Sequence, residues 1–304
     1  EIAEIDIELD LTTAKYEDGY TTIIGVVSNP RTFYSEYEIQ SVKYYRNGGL
    51  SGNAVSYMLK ADFYRKIYST DDWYTYMVDR KNTDAFENVK LEADLDFQGI
   101  KADDIMVKHA FGRILDGNGH KIYNIDLQYG FNANNNTTFR RLFKGDVQYS
   151  GVVRNLFVEN YKAGGEYFNS TKGKTYVSRA AGVFGTVYGL IENVHVKDVE
   201  ITTYDYAGGL AAYLAASGEL KDCSVTNLTL NYNDPDDANA ESYIGGMVGR
   251  MNESRITHCY TQNVKITVDE TKATFGIGGV VGYASNSVID TAYAEGEIES
   301  RAQK

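Results

Sequence analysis

The four histidines are the natural starting point for chemistry, because two imidazoles one helical turn apart, with a glutamate between them, would hold zinc and polarise its water. His109, His120, His195 and His258 are not paired in this way and no HExxH sequence occurs. Each therefore reads as a structural or solvent-exposed side chain. Cleavage of a polysaccharide would need two or three carboxylates, or a carboxylate with Lys or Arg, converging on one point. The densest acidic group is Asp94 and Asp96, with Asp103, Asp104 and Asp116 nearby. Aspartate is common at strand ends, however, and DGNG at 116–119 is a turn sequence. Two glycine-rich segments, GDVQYSG and FGIGGVVG, lack the Lys-Ser or Lys-Thr that a phosphate loop requires. No catalytic, cofactor-binding or metal-binding residue is assigned in this chain.

What would position such groups is a repeat. An apolar residue at x, others at x+3 and x+5, and usually Asn or Asp at x+2 recur six times. The copies are Ile122-Ile125-Leu127, Val153-Leu156-Val158, Ile191-Val194-Val196, Leu220-Cys223-Val225, Ile256-Cys259-Thr261 and Ile289-Ala292-Ala294. Position x+2 reads Asn124, Asn155, Asn193, Asp222, His258 and Thr291. Position x+7, from the second copy on, reads Asn160, Asp198, Asn227, Asn263 and Gly296. One such unit cannot bury its apolar face alone, so successive units must stack. Val, Ile, Thr and Tyr dominate, and glycine doublets would weaken a helix by about 1 kcal/mol each, so the stacked elements are strands. Asn, Asp or Gly at x+7 suits a corner in the left-handed backbone region, and Asn at x+2 can bond its counterpart one unit away. Glycine-rich runs (AAGVFGTV at 180–187, AGGLAAYL at 207–214, IGGMVGRM at 244–251, IGGVVGYA at 277–284) precede the later copies.

With x, x+3 and x+5 facing inward, column x+4 faces out: Asp126, Phe157, His195, Ser224, Tyr260 and Tyr293. Column x+6 holds Gln128, Glu159, Lys197, Thr226, Gln262 and Glu295. Neither supplies adjacent carboxylates. Aromatic residues are enriched at interface hot spots, which makes Phe157, Tyr260 and Tyr293 the candidate protein-contact residues. The long segment 159–182 predicts a loop projecting from one face, where recognition tends to sit. Cys223 and Cys259 share column x+3 on neighbouring units. A disulfide is within reach there, and the apolar residues at the same position elsewhere favour a buried, reduced pair.

Only two prolines, with 29 glycines and 26 tyrosines among 304 residues, suit a β-rich chain. The net charge of −12 argues against nucleic acid or an anionic membrane as partner, and no apolar run is long enough to span a bilayer. Residues 1–67 read as a small antiparallel β unit, with strands in EIDIELDL, YTTIIGVV, EYEIQSVKYY and VSYMLKADFY. In 68–85, Trp73, Tyr76, Met77 and Arg80 fall at helical spacing behind a Ser69/Asp72 capping box. This short helix, of about three turns, is placed to cover the open apolar end of the stack. Residues 86–304 make about six coils. The start at Glu1 and the lack of a polar cap after the last coil lead us to expect a longer parent protein.

The glycine runs, each followed by a polar turn, a strand and an Asn corner, resemble the GLUG repeat of bacterial surface proteins. Together with YSTDDWYTYM, NVKLEADLDFQG and FGRILDGNGHKIYNI, they resemble the N-terminal, non-catalytic region of Gram-positive immunoglobulin A-specific zinc metalloendopeptidases, over roughly residues 68–300. The resemblance implies an all-β, right-handed parallel β-helix, secreted or attached to the cell wall. It further implies a scaffold and substrate-recognition role toward a host glycoprotein, with no cofactor in this chain and zinc held in a catalytic domain of the same parent beyond Lys304. A surface adhesin or stalk module, and a β-helical polysaccharide lyase or glycosidase, stand as alternative readings.

Overall fold

In the computed structural model the described residues are 7–17, 20–27, 45–46, 49–50, 64–79, 88–128, 140–169, 174–177, 180–204, 206–233, 242–269 and 275–300. The chain divides into two compact units, Glu1–Phe63 and Tyr64–Lys304. In the first, Ile7–Glu17 and Tyr20–Val27 pair antiparallel from Ile7↔Val27 to Glu17↔Tyr20, with a bulge between Asp10 and Lys15. A second, shorter antiparallel pair joins Tyr45–Arg46 to Gly49–Leu50. The strands expected in EYEIQSVKYY and VSYMLKADFY lie outside the described residues, apart from their final tyrosines.

The second unit is nearly all β, and apart from one antiparallel pair its described strands lie parallel in three sheets. Each later repeat visits them in one order. Ser242–Gly245 lies in a three-stranded sheet, Val248–Asn252 in a four-stranded sheet, then Arg255–Thr257 and Tyr260–Asp269 in the main sheet of 13 strands. The next repeat, from Phe275 to Ser300, follows the same order and pairs parallel with the one before, with one register shift between Thr261 and Val264.

Backbone conformation explains why apolar residues fall at intervals of three and two. Asn155 and Asn160 adopt φ of 53° and 51°, the left-handed region that Asn tolerates and branched side chains avoid. Each such corner uses one residue and resets the period-two alternation. Along Val152–Gly164, Val153, Leu156, Val158, Tyr161 and Ala163 are therefore buried, while Phe157 and Asn160 face solvent. The same corners occur at Asn193, Asp198, Asp222, Asn227, His258 and Asn263. Val194, Cys223 and Cys259 form one interior column, closed by the half-buried Ala292. Both cysteines are free thiols. The Cys223 N–H donates to Cys259 Sγ at 3.4 Å, and burial pushes the Cys223 thiol well above its ordinary range.

Register corrects the repeat at both ends. Val153 pairs with Leu115, and Val158 with Ile122. The first copy of x is thus Leu115, and Ile122-Ile125-Leu127 matches x+5, x+8 and x+10. Asn124 accordingly sits in the x+7 column, where it accepts from Asn160 Nδ2 at 2.7 Å. The turn at Gly117–His120 adds two residues between Leu115 and Ile122, and the 3-2-3-2 spacing makes the slipped frame fit equally well. In the last copy a register shift pairs Gly296 with Val264. Gly296 therefore does not stand in the column of Asn263, and it has no left-handed φ.

At the edge of the main sheet Tyr64–Ile67 pairs parallel with Asn88–Leu91. Ser69 then caps Thr70–Trp73, its hydroxyl accepting from the Asp72 N–H while Asp72 accepts from the Ser69 N–H. The helix continues as one π turn, Tyr74–Val78, and is shorter than the three turns expected. Trp73 is fully buried, donates from Nε1 to the Ile105 carbonyl at 2.9 Å and meets Phe97 edge-on at 5.7 Å. Deeper in the interior, Phe111, Phe143 and Phe184 form a column with ring centroids 5.6 and 5.0 Å apart. Segment 159–182 is not a plain loop: Glu166–Asn169 and Lys174–Val177 form an antiparallel hairpin.

Candidate functional site

Parallel, in-register pairing sets Phe157, His195, Ser224, Tyr260 and Tyr293 side by side on five successive strands of the main sheet. Alternation turns this x+4 column outward. Phe157 lies 5.2 Å from the His195 ring, and Tyr260 stacks on Tyr293 at 5.2 Å and 4°. Ser224, small and only 3 % exposed, lies between the two aromatic pairs. The step left above it is a groove of about 280 Å³, lined by Phe157, Glu159, His195, Lys197, Thr226 and Tyr260. The sequence thus located Phe157, Tyr260 and Tyr293 on one outward column. It did not find the groove, which depends on Ser224 being the smallest side chain of the series.

A chain of hydrogen bonds fixes the polar atoms of the groove floor. The Asp116 carboxylate only accepts, so Asn155 Nδ2 donates to it at 3.1 Å. Asn193 Nδ2 then donates to Asn155 Oδ1 at 2.9 Å, and Asn193 Oδ1 is left to accept from His195 Nε2 at 2.9 Å. That choice makes His195 Nδ1 the acceptor of the Ser224 hydroxyl, 2.8 Å away. Burial holds the His195 imidazole below its ordinary range, so the ring is neutral at pH 7 and presents an apolar face. A serine bonded to a histidine base is the pairing that activates a hydroxyl for acyl transfer. Here, however, Ser224 is almost covered, and its strand is paired on both sides, so the surrounding N–H groups are used in the ladder and cannot form an oxyanion site. The His195–Ser224 bond is a fixed polar floor between the two aromatic pairs.

The acidic candidates do not converge on a substrate. Asp94 bonds His120 Nδ1 at 3.0 Å and the Lys121 N–H at 3.1 Å, Asp96 accepts from Asn124 at 2.8 Å, and Asp103 pairs with Lys108 at 3.2 Å. Asp104 is half-buried in the short helix Ala102–Ile105, and His109 is exposed. His258 faces Asp222 at 3.4 Å. Among the described residues no three His, Cys, Asp or Glu side chains come together in a group that could hold a metal ion.

Asp116 anchors the asparagine ladder. It also accepts from Arg154 Nε at 3.0 Å and from the Asn118 N–H at 2.9 Å. Burial alone would raise its pKa, but the hydrogen bonds from Asn155 and Asn118 and the Arg154 guanidinium outweigh it and hold the carboxyl below the usual range. A folded-state value below the unfolded one gives stability that is present above about pH 4 and lost as pH falls through the folded value. Asp116→Asn is expected to cost about 1–2 kcal/mol at pH 7, given a partly solvated Arg154 partner. The difference from the parent chain should shrink progressively as pH falls below about 4, read from urea midpoints at pH 7 and at successively lower pH. A pH-independent difference would show that the charge of Asp116 contributes nothing.

The architecture has solved counterparts. A crystal structure of a candidate immunoglobulin A1 protease from Bacteroides ovatus aligns with a TM-score of 0.52 and 18 % identity, over 77 % of each chain. A second, an IgA1 protease, aligns over 98 % of this chain and 28 % of its own length, with 14 % identity and a TM-score of 0.41. At these identities the first match establishes a shared fold, and the second is too distant to add to it. No protein-family model matches the chain, and no curated protein matches it by sequence. Among the described residues no helix is long and apolar enough to cross a membrane.

Proposed function

We propose that residues 86–304 form a closed, right-handed parallel β-helix that serves as a non-catalytic scaffold and substrate-recognition region. It would belong to a larger secreted or cell-surface bacterial metallopeptidase acting on a host glycoprotein such as immunoglobulin A. Three parallel sheets visited in a fixed order by each repeat support a closed cylinder, and the general handedness of parallel crossovers supports the right-handed form. The fold shared with the Bacteroides ovatus protein supports the kinship. The observation that carries the recognition role is the groove at Ser224, flanked by Phe157 with His195 on one side and Tyr260 with Tyr293 on the other. Rigid aromatic groups beside a satisfied polar floor are how proteins hold a partner at low entropic cost.

The test is retention on immobilised immunoglobulin A, with immunoglobulin G as control. The chain should bind immunoglobulin A selectively and leave it uncut. The double variant Tyr260→Ala, Tyr293→Ala should bind at least about tenfold more weakly, the loss expected when two hot-spot rings are removed. Equal retention on both immunoglobulins, or undiminished binding by the variant, would refute the assignment.

A further inference from the structure

A second outward column, on a different sheet, carries an arginine that forms no ion pair among the described residues. Register places Thr186, Tyr213, Arg250 and Tyr283 side by side across the four-stranded sheet. Tyr206 and Tyr243 precede the paired Ala207 and Ile244 of the neighbouring three-stranded sheet. Glycines bring the two groups together: a Cβ on Gly249 would lie 2.7 Å from the Tyr243 carbonyl oxygen, and one on Gly282 would lie 2.5 Å from the Ile244 nitrogen. Without those carbons, the strand Ser242–Gly245 lies close enough for the Tyr243 ring to reach Arg250 and Tyr283. The Arg250 guanidinium carbon is 5.3 Å from the centre of the Tyr213 ring and 5.9 Å from those of Tyr243 and Tyr283.

The rings position the guanidinium but do not satisfy it. Cation–π contact stabilises the charge and supplies no strong acceptor for five N–H donors. Arg250 Nε is buried with no hydrogen-bond partner, and no ion pair forms at this side chain among the described residues, although the chain carries a net charge of −12. Arg154, by contrast, has both Asp116 and the Tyr64 hydroxyl. A buried donor left open in a folded protein calls for a specific explanation, and the planar fork of arginine matches a carboxylate in two parallel bonds.

We infer that Arg250, with Tyr213, Tyr243 and Tyr283 around it, is a docking site for a glutamate or aspartate carboxylate in an acidic segment of a protein partner. Charge complementarity selects the anion. The tyrosines select a peptide over a sugar ring: Tyr243 stacks on Tyr283 at 4.6 Å and 27°, and Tyr206 lies 5.4 Å from Tyr243, so ring faces are turned to one another. Tyrosines grouped around one guanidinium have the composition of a protein hot spot. This site is separate from the groove at Ser224, and it stands whether or not immunoglobulin A is the partner.

The test is a titration of the ¹⁵N-labelled full chain, followed at the Arg250 Nε–H signal, which is assigned by its loss in Arg250→Lys. The probes are Ac-Gly-Glu-Glu-Glu-Gly-NH2, its Gln-for-Glu counterpart and 3′-sialyllactose. The glutamate peptide should shift the signal saturably, and the glutamine peptide should shift it less than about a tenth as far. Arg250→Lys keeps the charge and loses the fork, so it should bind the glutamate peptide at least about fivefold more weakly, read from the backbone amide signals of Tyr213, Tyr243 and Tyr283, with the remaining spectrum unchanged. Equal shifts from both peptides, a response to sialyllactose alone, or full affinity in Arg250→Lys would each overturn the inference. The titration of the parent chain decides the matter even if the variant fails to fold.

Discussion

Gly246→Val is expected to destabilise the repeat region by about 3–5 kcal/mol. A Cβ on Gly246 would lie 2.0 Å from the Gly279 carbonyl oxygen of the next repeat, and one on Gly182 would lie 1.9 Å from that of Gly209. The backbones meet directly at these positions. The gap must open by about 1 Å before a carbon can enter, and that opening strains two bonds, Gly209 N–H to the Gly246 carbonyl and Gly246 N–H to the Gly278 carbonyl, now 3.1 and 3.0 Å. Overpacking at about 1–3 kcal/mol and two weakened hydrogen bonds at about 1 kcal/mol each give a loss of about 3–5 kcal/mol. Against a typical domain stability of about 5–15 kcal/mol, that is a large fraction. Gly119→Ala makes the control, because Gly119 has φ of 77° and nothing within 4 Å. Its cost is conformational only, about 1–2 kcal/mol. Urea midpoints and soluble yield separate the two cases, and a Gly246→Val chain as stable as the Gly119→Ala chain would disprove the close-contact account.

Phe143→Ala comes next in size. Phe143 is fully buried between Phe111 and Phe184. Truncating its ring removes the transfer energy of a phenyl group and leaves a cavity whose walls belong to strands pinned by their neighbours, so the site collapses poorly. The expected loss is about 3–5 kcal/mol by urea unfolding. Tyr149→Ala, at a ring that is 66 % exposed and lies 5.0 Å from that of Tyr188, should change stability by no more than about 0.5 kcal/mol. A Phe143→Ala loss below about 1.5 kcal/mol would mean that the aromatic column is not a packed core.

The sequence showed its strands plainly where apolar residues and corner residues reinforce each other, as at Val153-Asn155-Leu156-Val158. It misled where the 3-2-3-2 spacing can be read in either of two frames. The turn at Gly117–His120 decides that choice through backbone pairing with Asn155, which no residue type announces. Phe157, Tyr260 and Tyr293 could be found because alternation alone fixes the face they occupy. The bond between His195 and Ser224 was present as adjacent letters of one column, but a search for paired carboxylates passes over it. Arg250 could not be found by reading along one strand: its tyrosines come from two sheets, and only the approach permitted by Gly249 and Gly282 brings them together.

Parallel pairing, unshifted along the column from Phe157 to Tyr293, gives this surface a further property. Chain length between rungs varies, yet every rung sits about 4.8 Å from the next, so Phe157 and Tyr293 are held about 19 Å apart whatever the connecting segments do. The face is therefore graduated like a ruler. A partner that spans it senses distances set by hydrogen-bond geometry, and residues inserted between rungs can change what is displayed without changing where it stands.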